Sequence, residues 1–250
     1  MQAESDLAFG FHKNRDLNEL PVVLLHSNNE WLSMIPEKVK QDLSAYFNLD
    51  KRICNLQKAQ NLALGRWVSY ELLKDVLNKD ELEKAFIQNS EDEEDFGKPY
   101  LMINDKRSPL CLSLSHSGPV AVACYSHQSV GVDIEKIRIR PHQFEATILT
   151  TKERETLSNW KGHRDYLLTC FWTAKESVSK ALGKGLRILI QNIEIFIPDI
   201  TDLVEISRVS AKCKTEETEK ELSVVLSTIG IGEDKYILST AKLMGVDFEK

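Results

Sequence analysis

Residues 110–134 read LCLSLSHSGPVAVACYSHQSVGVDI, and their reading decides the fold class. Leu110 to Ser117 alternates apolar with small polar residues, the two-residue period of a half-buried strand. Gly118-Pro119 interrupts it as a turn. A second strand follows at Val120–Tyr125 and a third at Ser129–Ile134. Upstream, Val22–His26 is a short apolar strand candidate, and Lys38 to Leu77 is rich in helix formers. Leu56, Leu62, Leu64, Trp67, Val68, Leu72 and Leu73 give that stretch a broad apolar face, predicting a buried helix over 56–77. Asn89–Gly97 is polar and acidic and reads as a loop. Downstream, Thr150-x-x-Glu153 fits a capping box that opens a short helix. Asp165–Leu182 reads as a longer helix, closed by Gly183 where a left-handed cap would sit. Further strands are expected at 188–197, 203–208, 222–229 and 236–242. The sum is an α+β chain with antiparallel sheets. Each half offers a long helix and a set of strands, without a clean sequence repeat between them.

The chain has 250 residues, of which 42% are hydrophobic and 28% charged, so a full core can be buried and a disordered or fibrous class is excluded. No apolar run approaches the roughly 20 residues of a membrane helix. The N-terminus lacks the basic start and apolar stretch of a secretory signal. Cys54, Cys111, Cys124, Cys170 and Cys213 are scattered and odd in number, which argues against a disulfide framework or a zinc site and for a reducing cytosol. The net charge is −6, and EDEED at 91–95 supplies −5 of it. Between Phe171 and Ile190 the balance is +3. A near-neutral body with one acidic run and one basic stretch does not fit a general nucleic-acid binder, although it can attract an acidic partner locally.

Four stretches carry chemistry. In Val130-Gly-Val-Asp-Ile-Glu135, strand alternation turns Val132 and Ile134 to the core and projects Asp133 and Glu135 together on the other face. Two such carboxylates repel, and a hard divalent cation such as Mg²⁺ resolves the repulsion; taken alone, the pattern is also the polar face of an ordinary strand. In FWTAKESVSK at 171–180, Trp172, Glu176 and Lys180 share one helical ridge. Alone, Glu176 and Lys180 read as a surface ion pair worth ~0.3–0.5 kcal/mol. Gly97-Lys98-Pro99 and Ser115-His116-Ser117 add a lysine and a histidine suited to phosphate. Each is weak evidence by itself.

Their order is not weak. GKPYL, SLSHSG, VGVDIEKI and FWTAKESVSKALGKGL, in this sequence and with these gaps, resemble the 4′-phosphopantetheinyl transferases of the surfactin-synthetase-activating type. The resemblance spans about Gly97 to Leu186. The first 50 residues and the tail after 190 match in length and strand content only. It implies an α+β fold of two similar lobes, 1–127 and 128–250, each a small antiparallel sheet packed on a long helix, with the active site in the cleft between them. It implies transfer of the phosphopantetheine arm of coenzyme A to a serine hydroxyl of an apo acyl or peptidyl carrier protein, with release of 3′,5′-ADP. The enzyme is expected to be a cytoplasmic monomer.

The same resemblance implies a Mg²⁺ held by Asp133, Glu135 and Glu176, with Lys180 steadying the leaving group. Lys98 and Pro99 would lie by the adenine and ribose, Ser115 and His116 by the 3′-phosphate, and Lys175 would meet phosphate or point to solvent. The general base stays open among Glu176, Glu135 and a metal-bound water. Carrier docking is expected on roughly Gly183–Asn192, with Lys184 and Arg187 as a basic rim and Lys136, Arg138 and Arg140 nearby. One departure stands out. Many relatives carry an arginine where alignment on Gly65 puts Asn61; Lys58 or Arg66 would have to substitute. The run at 91–95 is expected to bulge into solvent, away from phosphates. The alternatives are an inactive relative that binds coenzyme A or carrier protein without turnover, and an unrelated metal-dependent phosphohydrolase.

Overall fold

Period-2 stretches and their turns become eleven strands among the residues that the computed structural model describes: 9–15, 20–27, 34–49, 56–183, 188–197, 206–214 and 218–244. The first sheet is built from β1 (Phe9–Arg15), β2 (Pro21–Ser27), β3 (Ala85–Asn89), β4 (Pro99–Ile103), β5 (Lys106–Ser117) and β6 (Val120–Ser126), in the order β1-β2-β6-β5-β4-β3. The second is built from β7 (Val130–Lys136), β8 (Ile193–Phe196), β9 (Ile206–Lys214), β10 (Glu219–Ile231) and β11 (Asp234–Leu243), in the order β7-β11-β10-β9-β8. Every pairing is antiparallel. Helices α1 (Glu37–Leu49), α2 (Leu56–Leu73) and α3 (Lys79–Glu83) interrupt the first set, and α4 (His142–Ile148), α5 (Thr151–Asn159) and α6 (Arg164–Ala181) the second. The chain is therefore α+β with two helix-backed sheets.

Three cores hold it. Leu64, Trp67 and Val68 of α2 pack on Val23, Leu25, Leu112 and Ala121 of the first sheet. Leu168, Phe171 and Val178 of α6 pack on Val209, Val224, Leu226 and Ile237 of the second. Between the sheets lies the third: Val22, Leu24, Val120 and Val122 meet Val130, Val132, Ile134 and Leu238. Strands β6 and β7 are thus buried on both faces, which explains their near-continuous apolar runs. β6 offers small Ala121 and Ala123 to α2 and larger Val120 and Val122 to the second sheet.

Several boundaries differ from expectation. The helix expected over 56–77 ends at Leu73. There the ladder tightens, with Asp75 N–H donating to Leu72 O and Val76 N–H to Leu73 O, a terminal turn too tight to continue the helix. The strand expected over 188–197 contracts to β8, because a 3₁₀ turn occupies Ile190–Asn192. β9 starts at Ile206, and residues 203–205 of the strand expected there lie outside the described residues. The capping box at Thr150 and Glu153 forms in both directions, and Gly183 adopts φ +71° just past α6. No described helix is long and apolar enough to cross a membrane. None of the four described cysteines is in a disulfide.

Candidate active site

The site begins with a glycine. An ideal Cβ on Gly131 would sit 1.8 Å from the Ser177 carbonyl oxygen and 2.6 Å from the Ala181 nitrogen. Helix α6 therefore lies directly on β7, closer than any side chain would allow. Strand alternation then points Asp133 and Glu135, two and four residues on, toward the same helix. Lys180 Nζ donates to Asp133 Oδ1 at 2.8 Å and to the Val132 carbonyl at 3.0 Å. Trp172 Nε1 donates to Glu135 Oε1 at 3.2 Å. The ridge of Trp172, Glu176 and Lys180 is thus turned onto the acidic strand. Lys180 pairs with Asp133 across the two elements, and no surface bond between Glu176 and Lys180 forms.

Strand β7 is the edge of its sheet, so its outer N–H groups need partners. The alternating serines of β5 supply them. Ser113 Oγ accepts from Val132 N–H at 2.9 Å and Ser117 Oγ from Lys136 N–H at 3.0 Å. Ser115 Oγ donates to Asp133 Oδ1 at 2.6 Å. The Leu-Ser-Leu-Ser-His-Ser alternation is therefore a polar seam between the two sheets.

Glu176 is half-buried, and its Oε1 has no partner among the described residues. Burial, reinforced by Asp133 and Glu135 and opposed by Lys180, pushes its carboxyl up to about 7. Asp133 Oδ2 is likewise buried without a partner. Glu135 differs: Trp172 holds one oxygen, and Arg140 holds the other at 3.0 Å. Among the described residues, no three acidic, histidine or cysteine side chains converge into a finished metal-ligand set. The two orphaned oxygens, on Asp133 and Glu176, nevertheless suit one hard cation that takes one or two carboxylates and completes its shell with phosphate and water.

The remaining expected residues divide. His116 is exposed at the end of β5, where partial burial and the Lys180 ammonium hold its imidazole below the ordinary histidine range. Pro99 opens β4 opposite Asn89. Lys98 crosses to the second lobe: its Nζ is 3.4 Å from where a Gly183 Cβ would stand. Lys98, Leu182 and Gly183 line an open cavity of about 420 Å³ whose other wall is Asp92, Glu93, Glu94 and Asp95. The acidic run is exposed but does not simply bulge away. Ser90 closes its base through bonds to Lys98 O and from Gly97 N–H, and the Ser90 hydroxyl donates to Asp95.

Lys175 is placed against expectation. It meets neither solvent nor the cleft, being fully buried with Glu153 at 2.7 Å and donating to the Ile148 carbonyl at 2.7 Å. One residue before Glu176 on a helix points roughly 100° away, which turns Lys175 into the lobe core. Arg66 also fails to substitute for an arginine at Asn61. It is buried in α2, 3.1 Å from Asp42 and 3.3 Å from Asn89 Oδ1. The side chain of Lys58, and Lys184, Leu186 and Arg187 of the expected docking segment, lie outside the described residues. Of the nearby basic residues, Lys136 pairs with Asp234 at 2.5 Å and Arg140 with Glu135. Sequence reading named Arg140 only among the basic residues near the docking segment, not as the partner of Glu135, and missed the roles of Ser113 and Ser117. The serine period was a usable signal; nothing in the spacing of Glu135 and Arg140 announced their contact.

Residues 129–240 match the family model of the 4′-phosphopantetheinyl transferase superfamily. A 4′-phosphopantetheinyl transferase of Aneurinibacillus migulanus is 29% identical over 146 residues, covering 58% of this chain and 57% of that one. A putative 4′-phosphopantetheinyl transferase of Synechocystis is 33% identical over 94 residues, 36% of this chain and 38% of its own. Enterobactin synthase component D of Salmonella typhi is 41% identical over 88 residues, 32% of this chain and 38% of its own. The matched segments thus span well under two thirds of each relative's length.

Proposed function

From the match of residues 129–240 to the family model of the 4′-phosphopantetheinyl transferase superfamily, we propose that the chain transfers the 4′-phosphopantetheine moiety of coenzyme A to a serine hydroxyl of an apo acyl or peptidyl carrier protein. The other product is 3′,5′-ADP. The observation that carries this reading is the meeting of Asp133, Glu176 and Lys180 at the lobe seam, two orphaned carboxylate oxygens beside one ammonium. In the reaction the serine oxygen bonds to the phosphorus next to the pantetheine, and the bond from that phosphorus to the oxygen of the leaving nucleotide breaks. Such chemistry asks mainly for positioning and charge neutralisation. Asp133 and Glu176 would hold Mg²⁺, which when bound there would offset charge on the diphosphate.

Lys180 supplies a point charge to the departing phosphate and is oriented for it by Asp133 and the Val132 carbonyl. Glu176 takes the serine proton on its second oxygen, since the second oxygen of Asp133 is held by Lys180 and Ser115. Glu135, with both oxygens engaged, is not free for that task. Lys98 reaches the cleft from the first lobe and is suited to the nucleotide end of coenzyme A, with Pro99 fixing the turn beside it. His116 faces the same charge cluster and would meet the 3′-phosphate, while Ser115 orients Asp133. We place the protein in the cytosol as a monomer, with 1–127 and 128–250 as its lobes and the carrier docking near Gly183–Asn192.

Incubating the protein with coenzyme A, Mg²⁺ and an apo carrier protein tests the reading. A carrier mass increase of one phosphopantetheine supports it. Coenzyme A binding without any increase, across a panel of apo carriers, would establish the inactive-relative alternative.

A further inference from the structure

The side chain of Arg140 is 9% exposed, and among the described residues its guanidinium donates to a carboxylate that the acidic strand otherwise offers to the site. Its guanidinium donates to Glu135 Oε2 at 3.0 Å and lies over the Phe144 ring at 4.6 Å from the centroid. Its Nε has no partner among the described residues. The backbone on either side is pinned as well. Arg140 N–H donates to Asp165 Oδ1, and Arg164 donates to the Arg140 carbonyl, to Asp165 and to Glu145. Phe144 in turn stands edge-on to Trp172, with ring centroids 5.2 Å apart, and Trp172 holds the other oxygen of Glu135. Trp172 and Arg140, braced by Phe144, therefore hold the two oxygens of one acid, with the Ser117 hydroxyl a further donor to Oε2 at 3.5 Å, while Asp133 and Glu176 each keep an oxygen unpartnered.

We propose that Arg140 is a positioning residue that withholds Glu135 from the cation site, leaving a two-carboxylate site that the diphosphate must complete. This inference rests on the reading of Asp133 and Glu176 as cation ligands. Cation affinity rises with the number of charged oxygens a site presents. With Glu135 neutralised, the cluster of three acids and Lys180 has one negative charge fewer toward a free cation. A site so weakened takes its metal together with the substrate phosphates and holds little of it beforehand. The restraint also keeps Glu135 from adding an unpaired charge beside Glu176 when no substrate is present, since a buried charge without a partner is strongly unfavourable.

Mn²⁺ binding to the full chain without coenzyme A, followed by paramagnetic resonance of the free ion, tests the proposal. Arg140→Gln is expected to tighten Mn²⁺ binding about tenfold by releasing a third carboxylate. Adding Glu135→Gln should abolish that gain, the coupling expected of two residues that act through one contact. Trp172→Phe, which keeps the aromatic support and removes the indole donor, should also tighten binding and serves where Arg140→Gln does not fold. General loss of structure would weaken binding, so tightening is not a folding artefact. Unchanged affinity in both Arg140→Gln and Trp172→Phe, or a gain that survives Glu135→Gln, overturns the proposal. The underlying site is checked separately: Mn²⁺ bound equally by wild type and Asp133→Asn would show that the cation reading itself is wrong.

Discussion

Glu176 stands where burial and chemistry oppose each other. Its carboxyl is lifted to about 7 because burial disfavours the ionised form, and Asp133 and Glu135 add to this against the opposing pull of Lys180. The folded state therefore holds that proton more tightly than the unfolded chain does. The resulting penalty is absent below the ordinary carboxylate range, grows as pH rises toward 7, and is complete above it. Glu176→Gln should accordingly be more stable than wild type at pH 8, by on the order of 2 kcal/mol, and equal to it at pH 4. Urea titrations at the two pH values measure this, and equal stability at pH 8 would contradict the environment described for Glu176. The same variant, like Asp133→Ala, should lose well over tenfold in turnover, which is more than about 1.4 kcal/mol of barrier. Lys175 gives the opposite pattern. Replacing it by methionine leaves Glu153 buried without its cation, a loss of about 3–5 kcal/mol in stability, while coenzyme A affinity in the folded fraction stays unchanged. A weakened affinity with an unaltered melting curve would return Lys175 to the cleft. The sequence let Asp133, Glu176 and Lys180, which the structure brings together, be named as one candidate group, because the motifs keep their spacing. It did not show that adjacent Lys175 and Glu176 serve a core and a cleft, since that depends on which way α6 is rotated on its sheet.

At the scale of elements, the contact of α6 with β7 sets every distance in the site. Gly131→Ala would force a Cβ into the Ser177 carbonyl, and backbone cannot yield as a flexible side chain can. The helix must shift, so we expect both a lower melting temperature and a fall in kcat of at least about tenfold, because misplacing a catalytic group by about 1 Å is costly. Normal turnover in this variant would mean that helix position does not control the chemistry. The acidic loop makes a smaller contribution. Asp92–Asp95 faces Lys98 across the cavity but is largely solvated, so screening limits its reach. Neutralising it should lower KM for coenzyme A by no more than about fivefold, and less at high salt. A rise in KM would show that the loop supports binding. Strands β5, β6 and β7 and helix α6 were legible because period and turn signals agree there. β3 and β4 were not, since Ala85–Asn89 and Pro99–Ile103 are five residues each, too short for a period to stand out.

For the whole molecule, the two helix-backed sheets share a core. Val22, Leu24, Val120 and Val122 from one and Val130, Val132, Ile134 and Leu238 from the other form a layer with almost no exposure, and the β5 serines stitch its edge. Separating the sheets would expose this apolar layer and leave the outer N–H groups of β7 without partners, so neither is expected to persist alone. A division at residues 127 and 128 is legible in the sequence only as what the family resemblance implies. The joining of what it divides is not, because Val132 and Ile134 look the same whether they face their own helix or the other sheet. The two possibilities differ in calorimetry. If the layer couples the lobes, unfolding is a single transition whose calorimetric and van't Hoff enthalpies agree. Val132→Ala should then lower that one transition by about 5 °C, since removing two buried methyl groups costs about 2 kcal/mol. Two resolved transitions, or a shift confined to one of them, would show that the sheets fold independently and that the seam holding Asp133 beside Ser115 is only a contact between finished domains.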